Sequence, residues 1–178
     1  MQINRWLSIA FLAVGVVFGA GGVIVSIAVN HFTSTDALCT SCHSMAFEAA
    51  DPYFQHSAHR SNSSGVRASC GDCHIPTTNW FIETYTHVSL GMRDVFAEFT
   101  HDFSDPKVWE ARRLELAQRV LAKMHAQDSV TCRGCHDASA IQPKSEAGRM
   151  AHASLRATCV DCHTNFVHPT ALATIQSK

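Results

Sequence analysis

Hydrophobic and polar positions divide this chain into one unbroken apolar run and a longer part where apolar residues recur at helical spacing. From Trp6 to Val29 no residue is charged, and Ile, Leu, Val, Phe, Ala and Gly dominate. Such a run is long enough to cross a bilayer as one helix. Arg5 precedes it, and Asp36 is the first charge after it. The positive-inside rule then places the N-terminus in the cytoplasm and everything after residue 30 outside. Trp6 stands where an interfacial aromatic belongs. Further on, Phe81, Tyr85, Val88, Met92, Val95 and Phe99 share one face of a helix expected over 78–100. That stripe suits packing onto an internal partner or contact with a membrane surface. Asp105 followed by Pro106 is a helix start signal. Leu114, Ala117, Leu121 and Met124 mark a buried stripe, with the helix ending near Asp128. Residues 61–65 read as a loop, and no segment carries a strand signal. The pattern predicts a mainly α fold with little or no sheet.

A cleaved signal peptide is the alternative to a retained anchor. Ser26-Ile27-Ala28 has the form of a cleavage site, but the apolar run is longer than a signal core needs. Gly15 and Gly19 form a small-xxx-small pair able to seat a partner helix, so an oligomer through the anchor is one expectation.

The cysteines change the picture. All eight fall in four Cys-x-x-Cys-His motifs: Cys39–Cys42–His43, Cys70–Cys73–His74, Cys132–Cys135–His136 and Cys159–Cys162–His163. This is the spacing of c-type haem attachment. Two thiols at that interval bond both vinyl groups of one haem, and the adjacent His supplies an axial ligand. A zinc ribbon or four disulfides are the alternatives, yet neither requires His after every second Cys. Four c-type haems are therefore the expected cofactors. In 178 residues, with an anchor removed, little apolar core remains, so the haems must form much of it. The stripe on the 78–100 helix then has haem faces to pack on. The formal charge of −1 carries no basic patch, which excludes nucleic acid as a partner.

The cysteine-bearing region looks duplicated. Val66-Arg67-Ala68-Ser69-Cys70-Gly71-Asp72-Cys73-His74 matches Leu155-Arg156-Ala157-Thr158-Cys159-Val160-Asp161-Cys162-His163. His59 follows His43 at the same interval as His152 follows His136. Two dihaem repeats follow, at about 38–100 and 128–170. The expected organisation is 1–5 in the cytoplasm, 6–29 as transmembrane anchor and 30–178 as a small, haem-packed periplasmic domain. Of the histidines outside the motifs, His59, His152 and His168 are favoured as distal axial ligands. His101 is a weaker candidate, and His31, His56 and His125 fit ordinary surface roles. Met45, two residues after His43, offers a thioether, so Met45 and His43 stand as alternatives for the first haem iron.

With the motifs, the anchor, Ser64-Gly65-Val66-Arg67-Ala68-Ser69, Trp109-Glu110-Ala111-Arg112-Arg113 and Arg149-Met150-Ala151-His152 in view, the chain resembles the NapC/NirT family of membrane-anchored tetrahaem cytochromes, which includes NrfH and CymA. The resemblance covers essentially the whole chain. It implies oxidation of membrane quinol, menaquinol or ubiquinol, and delivery of electrons to a periplasmic reductase in anaerobic respiration. It also implies placement in the bacterial inner membrane as a single-pass protein. In the NrfH type the Met of Cys-x-x-Cys-His-x-Met ligates the first haem, which carries over to Met45. The acidic residue beside that haem corresponds to Asp94. Arg93 precedes it where other members carry Lys, and His87 stands where the NrfH type has Lys. A quinol site at Asp94, His87 and Arg93 is the expectation. An electron carrier running in reverse, from a periplasmic oxidising enzyme to quinone, is the principal alternative. A gas sensor or a standalone reductase fits less well.

Overall fold

The computed structural model describes residues 4–154 and 157–168. Among these the chain is helical and contains no strand. Ten helices follow in order: α1 (Arg5–Thr33), α2 (Asp36–Cys39), α3 (His43–Ala50), α4 (Pro52–Gln55), α5 (Cys70–His74), α6 (Trp80–Thr100), α7 (Pro106–Ala126), α8 (Val130–Arg133), α9 (Glu146–Ser154) and α10 (Cys159–Cys162).

Helix α1 starts at Asn4, whose side chain accepts a hydrogen bond from Trp6 N–H at 3.2 Å. Its 29 residues span about 44 Å at 1.5 Å each, more than the ~30 Å of bilayer hydrocarbon. The apolar side chains along it point outward, so this helix is apolar and long enough to cross a membrane. Its last turns meet α6. Asn30, buried, donates to Thr84 Oγ1 at 2.9 Å. Trp80 Nε1 donates to Ser26 Oγ at 3.1 Å, and Ser34 Oγ lies 3.1 Å from His87 Nε2. The three contacts advance together along both helices, so α1 and α6 run parallel where they touch. Polar pairs on a helix that is otherwise apolar fix its rotation, because a buried Asn30 left unpaired would cost about 1–3 kcal/mol.

The long helices begin and end close to the expected positions. Helix α7 opens with the Asp105 side chain accepting from Lys107 N–H at 2.8 Å and Pro106 at the first position. It stops at Ala126, where Asp128 and Ser129 both turn to φ 50°. The apolar stripe of α6 packs on no protein element. Phe81, Tyr85, Met92 and Phe99 are 76, 74, 71 and 87 % exposed, on a different face from Trp80, Thr84 and His87, which meet α1. Such an exposed stripe is free to pack on a haem face or on a lipid surface.

Among the described residues the buried apolar side chains are few: Phe54, Phe103, Trp109, Val160 and Val167. Phe103 stands edge-on to Trp109 at 5.9 Å and stacks on His101 at 5.3 Å. His101 is further engaged by Arg112, 3.0 Å from its Nε2. The Trp109–Arg113 segment is thus structural, with Trp109 in the core and Arg113 in an ion-pair cluster with Glu48 and Asp51.

Candidate functional site

Each motif sits on, or flanks, a single helical turn, which brings its two thiols to one side. Cys39 closes α2 and Cys42 caps α3. Cys70 and Cys73 lie in α5, Cys132 in α8, and Cys159 and Cys162 in α10. In the second motif Ser69 and Asp72 form a reciprocal capping box, and in the fourth Asp161 accepts from Thr158 N–H at 2.7 Å, as Asp72 does from Ser69 N–H at 2.7 Å. Sequence duplication is therefore matched by duplicated local structure.

None of the eight cysteines is paired in a disulfide, and no three His, Cys, Asp or Glu side chains among the described residues converge as a metal cluster. The motifs form a chain in space that follows their order in sequence. The Cys39 and Cys70 thiols are hydrogen-bonded, which lowers Cys39 to about 7 and raises Cys70. Cys73 lies within electrostatic reach of Cys132 and Cys135; burial first, then those thiols, raise it to about 11. Cys132 in turn hydrogen-bonds Cys159.

The histidines are brought together in pairs. Ring centres are 6.0 Å apart for His59 and His136, 6.4 Å for His74 and His168, and 6.2 Å for His152 and His163. Two imidazoles on opposite sides of one metal, each nitrogen about 2 Å from it and each ring centre roughly 1 Å further, put their centres about 6 Å apart. The three pairs fit that separation. Their chemistry fits as well. Burial, aided by His168, lowers His74 to about 4, and burial then His136 lower His59. Both are thus held as neutral imidazoles, the form that binds metal. His152 Nδ1 faces the Gly148 carbonyl at 2.8 Å, which leaves Nε2 for a ligand. His59 Nδ1 is buried with no hydrogen-bond partner. The pairing crosses the repeat. His59 and His152 hold equivalent places, yet one faces the third motif and the other the fourth.

The remaining histidines have other neighbours. His125 Nε2 lies 3.2 Å from Asp161, and His56 Nδ1 lies 2.7 Å from the Pro52 carbonyl. The side chain of His43 lies outside the described set. Met45 is on α3, 37 % exposed. Ser44, between them, is tied to Glu98 of α6 through its N–H at 3.3 Å and through its hydroxyl.

Asp94 is close enough to the first motif for its charge to act on both Cys39 and Cys42. Asp94 is solvent-exposed, yet the protein around it partly desolvates its carboxyl. That partial desolvation, aided by Glu98, raises its carboxyl against the pull of Arg93 and Lys123. Arg93 lines a cleft of about 630 Å³ with Phe81, Ile82, Tyr85, Lys123 and Gln127. His87 is separate from this group. Its Nε2 meets Ser34 and its Nδ1 the Glu83 carbonyl at 3.1 Å, so both ring nitrogens serve the α1–α6 joint.

Residues without a motif proved equally structured. Asp36, just past α1, accepts from Cys70 N–H at 2.8 Å and pairs with Arg60 at 2.7 Å. Burial alone would raise its carboxyl; the two partners outweigh burial and lower it. Arg60 also covers the Phe54 ring at 4.8 Å, and Phe54 stacks on His168 at 5.2 Å. Lone Asp and Arg residues gave no signal of this in sequence.

The profile of the NapC/NirT cytochrome c family, N-terminal region, matches residues 1–173. The chain belongs to that family. Its c-type haems number four, and the family is one of electron-transport cytochromes. The chain is 37 % identical over 164 residues to the cytochrome c-type protein TorY of Haemophilus influenzae, covering 89 % of this chain and 43 % of TorY. It is 34 % identical over 157 residues to NapC of the same organism, covering 83 % of this chain and 76 % of NapC. A putative tetraheme cytochrome c-type protein of Allochromatium vinosum is 34 % identical over 167 residues, covering 89 % of this chain and 88 % of its own. The chain spans less than half the length of the TorY and TorC relatives it matches. No solved structure matches it.

Proposed function

We propose that this protein oxidises membrane quinol at its first haem site and passes the electrons along its haems to a periplasmic reductase. The observation that carries the reading is Asp94. It is a carboxylate held above its ordinary pKa, placed beside Cys39 and Cys42 on a helix fastened to the membrane anchor. Quinol is confined to lipid and releases two protons with its two electrons. A carboxylate with a raised pKa is a better-matched proton acceptor than an ordinary one. The cleft lined by Phe81, Ile82, Tyr85 and Arg93 starts at the end of α6 that touches Ser26, so it lies at the depth from which quinol arrives. Arg93 and Lys123 supply positive charge to hold the Asp94 carboxylate and a quinol oxygen. His87 is a positioning residue here, locking α6 to Ser34.

The fitting residues for the haems are the eight motif cysteines as covalent attachments. His59 with His136, His74 with His168, and His152 with His163 are the axial pairs, and Met45 or His43 serves the first haem. Each bound haem supplies a one-electron redox centre. The cysteine contacts Cys39–Cys70, Cys73–Cys132 and Cys132–Cys159 support a path in motif order, from the anchor outward. Arg5 just before the apolar helix supports a periplasmic haem domain. The test is anaerobic reduction of the purified, membrane-reconstituted protein by a menaquinol analogue, followed in the haem absorption bands. Full reduction by dithionite with none by quinol refutes the proposal.

A further inference from the structure

We propose that Glu48 is the positioning residue of the second haem's distal ligand, setting that haem's potential through its carboxylate on His168. The inference rests on the reading of His74 and His168 as one axial pair. Glu48 Oε2 lies 2.8 Å from His168 Nδ1, and the Glu48 side chain is only 15 % exposed. Its other oxygen lies 2.6 Å from Arg113 Nε. Arg113 reaches Asp51 at 2.7 Å and, more loosely, the exposed Glu110 at 3.5 Å. The contacts at Arg113 Nε and His168 Nδ1 are not aligned as hydrogen bonds, so they act through charge. Phe54 covers the ring face, stacked within 8°. The imidazole is therefore stacked at its face and turns Nδ1 toward the Glu48 carboxylate, which leaves Nε2 as the nitrogen for iron.

A carboxylate behind a metal-bound histidine orients the ring and raises its basicity. Glu48 and Asp51 share one guanidinium, so the cluster beside His168 is net negative. Negative charge at an axial ligand favours the oxidised, more positive iron and lowers the potential. Glu48 lies on α3, the helix that begins at His43 and carries Met45. One rigid element thus bears groups for the first haem and the charge that tunes the second.

The test is potentiometric titration of the full-length holoprotein with optical and electron-paramagnetic detection. In Glu48→Gln, one of the four midpoints rises and the low-spin signal of that haem shifts. In Glu48→Asp the midpoint stays nearer the parent. Arg113→Gln, which removes the cation and keeps the carboxylate, moves the same midpoint downward. A Glu48→Gln protein with all four midpoints unchanged overturns the proposal, as does Arg113→Gln with no shift. His168→Ala separates the two layers. If it turns one haem high-spin while Glu48→Gln has no effect, the ligand reading stands and the role of Glu48 falls. If all haems stay low-spin in His168→Ala, both fall.

Discussion

Gly71 lies so close to Ser34 that a Cβ built on the glycine sits 2.9 Å from the Ser34 carbonyl oxygen. Gly71 belongs to the second haem motif and Ser34 caps α1, so the glycine sets how closely that motif approaches the end of α1. The matching position in the fourth motif is Val160, which is buried in the protein's own core. The repeat diverges there because one copy meets backbone and the other meets apolar side chains.

Gly71→Val, which imposes the fourth motif's residue on the second, is expected to destabilise the holoprotein by about 1–3 kcal/mol, the usual cost of overpacking. Thermal unfolding followed at the haem bands measures it. A variant as stable as the parent shows that α1 and α5 can move apart freely.

His59→Ala and His152→Ala are each expected to turn one haem high-spin without detaching it, since the thioether bonds remain. A pyridine haemochrome assay should still count four haems per chain. An unchanged low-spin spectrum in His152→Ala removes His152 from the axial set, whatever its 6.2 Å approach to His163.

Asp94→Asn is expected to keep four haems and their spectra while slowing reduction by a menaquinol analogue at least tenfold, about 1.4 kcal/mol in barrier. Dithionite reduction should be unchanged. The pH profile carries a sign. The Asp94 carboxyl is raised above 3.8 by burial and Glu98, with Arg93 and Lys123 opposing. The protonated form cannot accept a proton, so the parent's quinol rate should fall as pH drops through that raised value. The acid limb should vanish in Asp94→Asn. Removal of this charge should not cost stability at neutral pH, because burial already disfavours the ionised form. A quinol rate equal to the parent's eliminates Asp94 and makes His87 the next residue to change.

Asp36 predicts a different acid response. Its folded pKa lies below 3.8, because the Cys70 N–H and Arg60 outweigh burial. The stabilisation is therefore complete above the ordinary carboxylate range and is lost as pH falls through the lower folded value. Asp36→Asn should cost about 1–2 kcal/mol at neutral pH, discounted for the exposed part of the pair. The difference from the parent should shrink in strong acid. Denaturant unfolding at two pH values measures both, and an equal difference at each pH contradicts the linkage.

What could be read without coordinates is what depends on local spacing. The apolar run from Trp6, the capping pair Asp105 and Pro106, and four Cys-x-x-Cys-His motifs each act within a few residues. They predicted the anchor helix, the start of α7, the four haems and the family. The stripe on α6 was equally legible as a stripe, but which face of the helix meets α1 required knowing that Asn30, Ser26 and Ser34 contact Thr84, Trp80 and His87.

Partnership between distant residues was decided by tertiary structure alone. His59 and His152 occupy equivalent repeat positions, yet His59 faces the third motif and His152 the fourth, while His168 crosses back to the second. Interval along a chain fixes which face of a turn a side chain takes, but not which other turn comes to meet it. The same holds for Glu48, Arg113 and Asp36. Each is an ordinary charged residue until the helices pack. Then burial removes water from the charge, and only a specific partner can replace it.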